Sequence, residues 1–374
     1  MHPRLSDDEE AFRREVAEFL AAREQVDGFF FHEGDHASKK RKLYEELGER
    51  GWLSLAWPVE VGGKGLPPMY EFILWNEMAY ARAARPPLGP GIVAKTIIAY
   101  GTDEQRERFL PGLRAGTTYF SLGYSEPEAG SDLGGLRTRA ERHGDVYVLE
   151  GEKRWTSAAH RADFLWVLCR TGEPQSHSKG LTILIVDARS PGVTISPIPS
   201  IDGERFNEVR FDAVEVPVAN RIGDENGAWS IITESLATER HVQFSPKRVQ
   251  RDFEVLLELV AGTGRQDDPI VRETLADLAV QVAEVEVLSM LMLGAIQRGD
   301  AGVVEAACNK LAGSEVAQHI ARAAVELCGA DALIGGTMSE FLWRQTICET
   351  IGGGTSEVMR GVVARVGLGL AARR

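Results

Sequence analysis

About a hundred residues of strand-type sequence stand between two long helical stretches, and that change of period limits the folds open to this chain. From 119 to 222 the runs DVYVLEGEKRW, ADFLWVLCR, GLTILIVDA, VTISPI and FNEVRFDAVEVP are β-branched and aromatic, with Gly, Pro and Asp between them. No helical pattern interrupts them, which disfavours a parallel, doubly wound nucleotide-binding sheet and predicts an antiparallel β-barrel or sandwich.

On either side the apolar residues recur at helical spacing. AFRREVAEFLAAR, KKRKLYEELGERG and YEFILWNEMAYARA precede the β region, and Thr102 with Gln105 forms a capping box before EQRERFL. AWSIITESLATERHVQF, FEVLLELVAG, PIVRETLADLAVQVAEVEVLSMLMLGAIQ, EAACNKLAGSEVAQHIARAAVELCG and SEVMRGVVARV follow it, with GTGRQDDP as the clearest loop. The predicted class is α+β: an N-terminal helical domain (1–118), a central β domain (119–222) and a C-terminal helical bundle (223–374).

With 42 Lys+Arg against 55 Asp+Glu the formal charge is −13, which repels nucleic acid and anionic membrane. An anionic ligand then needs a local basic pocket. The four cysteines, Cys169, Cys308, Cys328 and Cys348, form no CxxC or Cys/His cluster, so neither a zinc site nor a disulfide framework is indicated. The acidic start and the lack of a run of about 18 apolar residues give a cytoplasmic reading with no membrane span.

Three segments offer chemistry. Ser125-Glu126-Pro127-Glu128-Ala129-Gly130-Ser131-Asp132 is a small-residue loop whose hydroxyls and backbone N–H groups suit a flat ligand, or simply turn the chain. Lys153-Arg154-Trp155-Thr156-Ser157 follows a strand and supplies an aromatic wall or a buried tryptophan. Gly352-Gly353-Gly354-Thr355-Ser356-Glu357 opens a helix, where positive φ and free N–H groups favour an anion or a carbonyl oxygen, while Thr355 or Ser356 caps the helix in the plainer reading.

In order, these segments resemble the acyl-CoA dehydrogenase family. YSEPEAGSDLGGLRTRAE is similar to its TEPGAGSD loop, RWTSAAHRAD to its WITN or WTSGA element, and GWLSLAWPVEVGGKGLP to its N-terminal GW…PxxxGG signature. The resemblance implies FAD between the β domain and the C-terminal helices. Ser125, Trp155 and Ser157 then lie at the isoalloxazine, Ser131 meets the thioester ligand, and Thr355 and Glu357 contact FAD. It also implies an acyl-CoA substrate, an electron-transfer flavoprotein or similar acceptor, and a dimer or tetramer that completes the FAD site across subunits.

In such enzymes a carboxylate removes the α-proton while a β-hydride passes to flavin N5. The usual YEGT carrying that carboxylate is IGGGT here, so the matching residue is Gly353, a substrate-pocket position without a base. The sequence resembles the minority of the family, including isovaleryl-CoA and long-chain dehydrogenases, that places the base in an ER dipeptide of an earlier helix. Glu239-Arg240 matches it, with Glu239 as catalytic base and Arg240 at the substrate. Helix phase agrees: at 100° per residue Glu239 falls about 20° from Ile232 and Arg240 about 20° from Trp229. A structural ion pair is the competing account of a carboxylate on that face.

The family's RxxFG and QxxGGxG elements are replaced by GRQDDPIVRETL and by Glu326-Leu327-Cys328-Gly329-Ala330-Asp331, so their FAD contacts do not transfer. That departure opens a second reading, in which the chain is one subunit, catalytic or not, of a heteromeric dehydrogenase with a paralogous partner. A flavin oxidase on the same scaffold is distinguished by peroxide release.

Overall fold

The computed structural model describes residues 5–22, 35–203, 205–238, 240–300 and 302–370. Among the described residues five α-helices come first: α1 (Asp7–Ala21), α2 (Asp35–Glu49), α3 (Pro68–Tyr80), α4 (Ala94–Tyr100) and α5 (Asp103–Ala115). Ser6 and Glu9 close a capping box at α1, and the box read from Thr102 and Gln105 is present at α5. α3 is buried almost all round, with Phe72, Ile73, Leu74, Trp75 and Met78 inside, and its Leu74, Trp75 and Met78 share a cluster with Val16, Leu47 and Trp52.

The middle of the chain forms eight strands: β1 (Phe120–Gly123), β2 (Arg139–His143), β3 (Val146–Lys153), β4 (Phe164–Arg170), β5 (Leu181–Asp187), β6 (Val193–Pro199), β7 (Arg205–Pro217) and β8 (Arg221–Ile222). Their order is β6-β7-β3-β2-β4-β5-β8, with β1 on β4. Pairing is mostly antiparallel. β1 runs parallel to β4, with Phe120 opposite Phe164, and β2 meets β4 in parallel at Arg139 and Arg170. β5 also touches β7 although the two are far apart in strand order, so the sheet curls round Tyr147, Leu149, Leu165, Val167, Leu184, Val214 and Val216.

The opposite side of β4 and β5 is covered as well. Trp166, Leu168, Ile183 and Ile185 pack on Ile97, Phe109 and Leu113, which explains why both strands read as unbroken apolar runs. Each such aliphatic residue contributes about 1.5–3 kcal/mol on burial.

The C-terminal bundle comprises α6 (Ala228–Thr238), α7 (Arg240–Gln243), α8 (Pro246–Thr263), α9 (Pro269–Gln297), α10 (Val303–Cys328), α11 (Met338–Thr346) and α12 (Ser356–Val362). α10 is its axis, touching α8, α9, α11 and α12, and its buried Ala306, Ala307, Ala317, Ala321 and Ala324 let those helices approach closely. Among the described residues α9 alone is long and apolar enough to cross a membrane, yet Val271, Leu278 and Val285 belong to the bundle core with Leu256 and Ile320. An ion pair of 2.6 Å between buried Arg82 and Asp252 ties the N-terminal helices to the bundle.

Candidate active site

A cavity of about 880 Å³ opens where the three regions meet. Its walls come from α2 and α3 (Tyr44, Trp75), the segment from Arg85 to Pro90, β1 and the loop after it (Leu122, Tyr124, Ser125), Arg154 to Trp155, α8 and the residues before it, α10 (Gly313, Ser314) and the stretch from Cys348 to Gly353. That volume lies in the range of small-molecule and cofactor sites. The described lining carries Lys40, Arg41, Arg85, Arg154, Arg161, Arg205 and Arg248 against Asp202 and Glu349. A chain of charge −13 therefore holds the local basic pocket that an anionic thioester requires.

Of the residues singled out from the sequence, Ser125, Trp155, Ser157 and Gly353 line this cavity. Ser131 sits in an exposed turn, and Thr355 is the N-cap of α12, its hydroxyl accepting the Val358 N–H at 3.2 Å. Glu357 is exposed in the first turn of α12, and bonds to its own backbone N–H and to the Thr355 hydroxyl hold its carboxyl below the usual range. Glu239 lies outside the described residues. Arg240 begins α7, whose Val242 and Gln243 line the cavity. The two helix-phase markers differ: Ile232 is buried, whereas Trp229 is 42% exposed.

The wall built from Ser125 and Trp155 rests on a buried ion pair that the sequence reading missed. Lys153, at the end of β3, donates to Glu126 at 2.7 Å and to the Tyr124 carbonyl at 3.1 Å. Glu126 also accepts the backbone N–H groups of Arg137 (2.6 Å) and Thr138 (2.9 Å). One residue on, the Arg154 N–H donates to the Ser125 carbonyl at 2.8 Å, and Thr156 exchanges backbone bonds with Asn207 in β7. Both segments are thus locked to the sheet.

On that frame Trp155 (φ +61°) and Ala158 (φ +55°) occupy the left-handed region, which costs a non-glycine residue about 1–2 kcal/mol. Trp155 stays 53% exposed, its indole edge-on to Phe206 at 6.1 Å and under the Arg154 guanidinium at 5.2 Å. Nearby, the Thr156 hydroxyl and Arg154 Nε are buried without hydrogen-bond partners. An exposed aromatic face on a strained, fixed backbone, with the hydroxyl residues Ser125 and Ser157 beside it and unmet polar atoms behind it, fits the planar ring system of a flavin.

The same cavity is bordered by the glycine turn. Gly353 (φ +68°) and Gly354 (φ +94°) adopt a backbone that side chains disfavour, and neither donates its N–H to another group among the described residues. Lys310, fully buried in α10, donates to the Gly354 carbonyl at 2.6 Å. A Cβ at Gly353 would lie 3.4 Å from Phe244 Cζ. Behind this wall Arg248 joins Glu349 and stands 3.6 Å from Asp252, while Arg85 lies 3.7 Å from Glu349.

Sequence profiles agree with this architecture along the chain. The acyl-CoA dehydrogenase N-terminal, middle and C-terminal domains match residues 6–117, 121–214 and 226–368. Acyl-CoA dehydrogenase FadE26 of Mycobacterium tuberculosis is 36% identical, with 97% of each chain covered. Among solved structures, the Tcur3481-Tcur3483 steroid ACAD superposes with a TM-score of 0.92 at 31% identity, all of both chains covered. The ChsE4-ChsE5 complex from Mycobacterium tuberculosis superposes at 0.88 with 33% identity, again over all of both chains. The chain belongs to the acyl-CoA dehydrogenase family, FAD-dependent oxidoreductases that act on CH–CH groups.

Proposed function

We propose that this chain carries the substrate pocket of an acyl-CoA dehydrogenase for bulky acyl groups, branched or ring-bearing and including a steroid side chain, and that Glu239 removes the α-proton to give the trans-2-enoyl thioester. The observation that carries the reading is Gly353 itself: the position has no side chain, Phe244 occupies the adjacent space, and the carboxylate of the same wall, Glu349, is paired with Arg248 and Arg85. The base must come from another wall, and Glu239 stands three residues before the cavity-lining Val242.

FAD supplies a hydride acceptor, N5, for the β-hydrogen. Trp155, Ser157 and Ser125 hold and orient the ring, and Thr355 and Glu357 at the start of α12 meet the cofactor's remaining half. The N–H groups of Gly353 and Gly354, which have no acceptor among the described residues, donate to the thioester oxygen and stabilise the enolate charge as the proton leaves. Arg240 and the other basic residues hold the thioester and its phosphates, with Ser131 on the entering chain. Replacing Glu239 with Gln and mixing the variant anaerobically with acyl-CoAs tests the base: loss of flavin bleaching is expected, and undiminished bleaching places the base elsewhere. A substrate panel led by butyryl-CoA and octanoyl-CoA overturns the bulky-substrate assignment.

A second subunit is favoured by the apolar surface beside the cavity. Trp155, Ile201, Trp343 and Ile351 are all about half exposed or more, and the 200–203 turn reaches α11 through a bond from Arg344 to the Ile201 carbonyl. Two similar structures are the Tcur3481-Tcur3483 steroid ACAD and the ChsE4-ChsE5 complex. A paralogous partner that covers this surface and completes the FAD site accounts for both, as it does for the missing RxxFG and QxxGGxG. The chain purified alone is then colourless or insoluble and turns yellow when produced with its paralogue. A stable yellow homo-oligomer that bleaches with acyl-CoA decides against the partner. Electrons leave to an electron-transfer flavoprotein or similar acceptor.

A further inference from the structure

We propose that Asn309 and Lys310, consecutive residues of α10, hold in register the two chain segments that border the substrate, and so act as positioning residues for the dehydrogenation. The inference rests on the site described above, with Glu239 on one segment and Gly353 on the other. Both side chains are fully buried. Successive helix residues diverge by about 100°, so neighbours in sequence reach different partners. The Asn309 amide donates to the Phe244 carbonyl at 3.3 Å, while its own oxygen accepts from Ser289 at 2.7 Å. Lys310 turns the other way and donates to the Gly354 carbonyl at 2.6 Å.

The two targets are the residue that follows α7 and the residue that follows Gly353. They meet in the cavity wall, where the Phe244 ring lies against Gly353. One turn along α10, the Ser314 hydroxyl bonds the Lys310 carbonyl at 2.8 Å, and Ser314 with Gly313 lines the cavity.

A lysine buried in a helix bundle is costly to desolvate and must find partners. Here one partner is a main-chain carbonyl in a two-glycine turn, the backbone least restrained by its own side chains. The charge-assisted bond supplies stiffness that the glycines lack. What it fixes is the Gly354–Thr355 peptide, and with it the position of the adjoining Gly353 relative to the segment bearing the base, and a displacement of about 1 Å between such groups costs roughly 100-fold in rate.

The test uses the full chain with its flavin, and with its partner subunit if it requires one. In Lys310→Met, amide hydrogen exchange across 350–356 rises about tenfold or more while 242–245 is unchanged, and kcat falls about 10–100-fold with KM within about threefold. Lys310→Arg recovers both. Asn309→Asp, which keeps the shape but loses the donor, gives the converse pattern, faster exchange at 242–245 alone. A folded Lys310→Met whose loop exchanges like wild type, or a change in KM without kcat, overturns the inference. If Lys310→Met does not fold, Asn309→Asp decides: exchange confined to 242–245 supports the clamp, and exchange spread along α10 refutes it. Exchange does not depend on which group is the base, so a failure here leaves the Glu239 assignment standing, and a failure of Glu239→Gln leaves the clamp.

Discussion

Lys153 Nζ lies 2.7 Å from Glu126 Oε1 with both residues buried, directly behind the loop that presents Ser125. A charge left alone in such a place is far more damaging than the pair is helpful, because the survivor keeps its desolvation penalty without its partner. Lys153→Met alone, or Glu126→Gln alone, is therefore expected to cost about 3–5 kcal/mol in denaturant unfolding. The double variant Lys153→Met/Glu126→Gln recovers a large part of that loss, and a double-mutant cycle on the unfolding midpoints checks it.

The same pair sets an acid limit on stability. Burial pushes the Glu126 carboxyl up, but the Lys153 ammonium and the hydrogen bonds from Thr138 and Arg137 outweigh it and leave the group below the usual carboxylate range. A carboxyl depressed in the folded state contributes stability that is fully present above its unfolded value of about 4.3 and is lost as pH falls through the folded value. The stability gap between wild type and Glu126→Gln should thus be constant between about pH 5 and 8 and close below about pH 4. Denaturant midpoints across that range measure it, and a gap that persists in acid rules out the carboxylate as its source.

Trp155 is strained and exposed at once, a combination that stability alone does not select. Trp155→Ala is expected to lower flavin affinity about tenfold or more, by loss of about 1–3 kcal/mol of ring stacking, while Trp155→Phe keeps most of it. Flavin titration of the apoprotein reads this. Ala158→Gly, three residues on at φ +55°, relieves the same kind of strain and raises stability by up to about 1 kcal/mol with flavin affinity unchanged.

The long strands were legible because burial on one or both faces writes itself into composition: all five β-type runs appear, as β3 to β7. β1, β2 and β8 were not, since FSLG and RI are too short to show a period and RAERH is polar, its pairing made by backbone alone. Lys153 had a usable signal. Tyr147 and Leu149 alternate inward on β3, and a register shift at Gly151 still leaves Lys153 on the buried side, so a charge was due to need a partner. Nothing in the sequence marked its partner as Glu126, 27 residues away across a loop. Left-handed Trp155 and the contact of Phe244 with Gly353 likewise arise from tertiary packing, while Thr355 took the capping role its residue type allows.

Gly353 gives the sharpest test of the pocket's shape. Alanine there places a Cβ 3.4 Å from Phe244 Cζ and 3.9 Å from its Cε2, a close but tolerable contact, at a φ of +68° that costs alanine about 1 kcal/mol more than glycine. The backbone that carries the ring is held by the bond from Asn309 to the Phe244 carbonyl. The added methyl therefore takes its space from the cavity. Turnover of branched or ring-bearing acyl-CoAs should fall about 10–100-fold in kcat/KM, against less than about threefold for a short straight chain, since one methyl in an apolar pocket is worth about 1–3 kcal/mol of discrimination. The ratio of the two kcat/KM values separates the effects: backbone strain lowers both alike, whereas a narrowed wall changes the ratio.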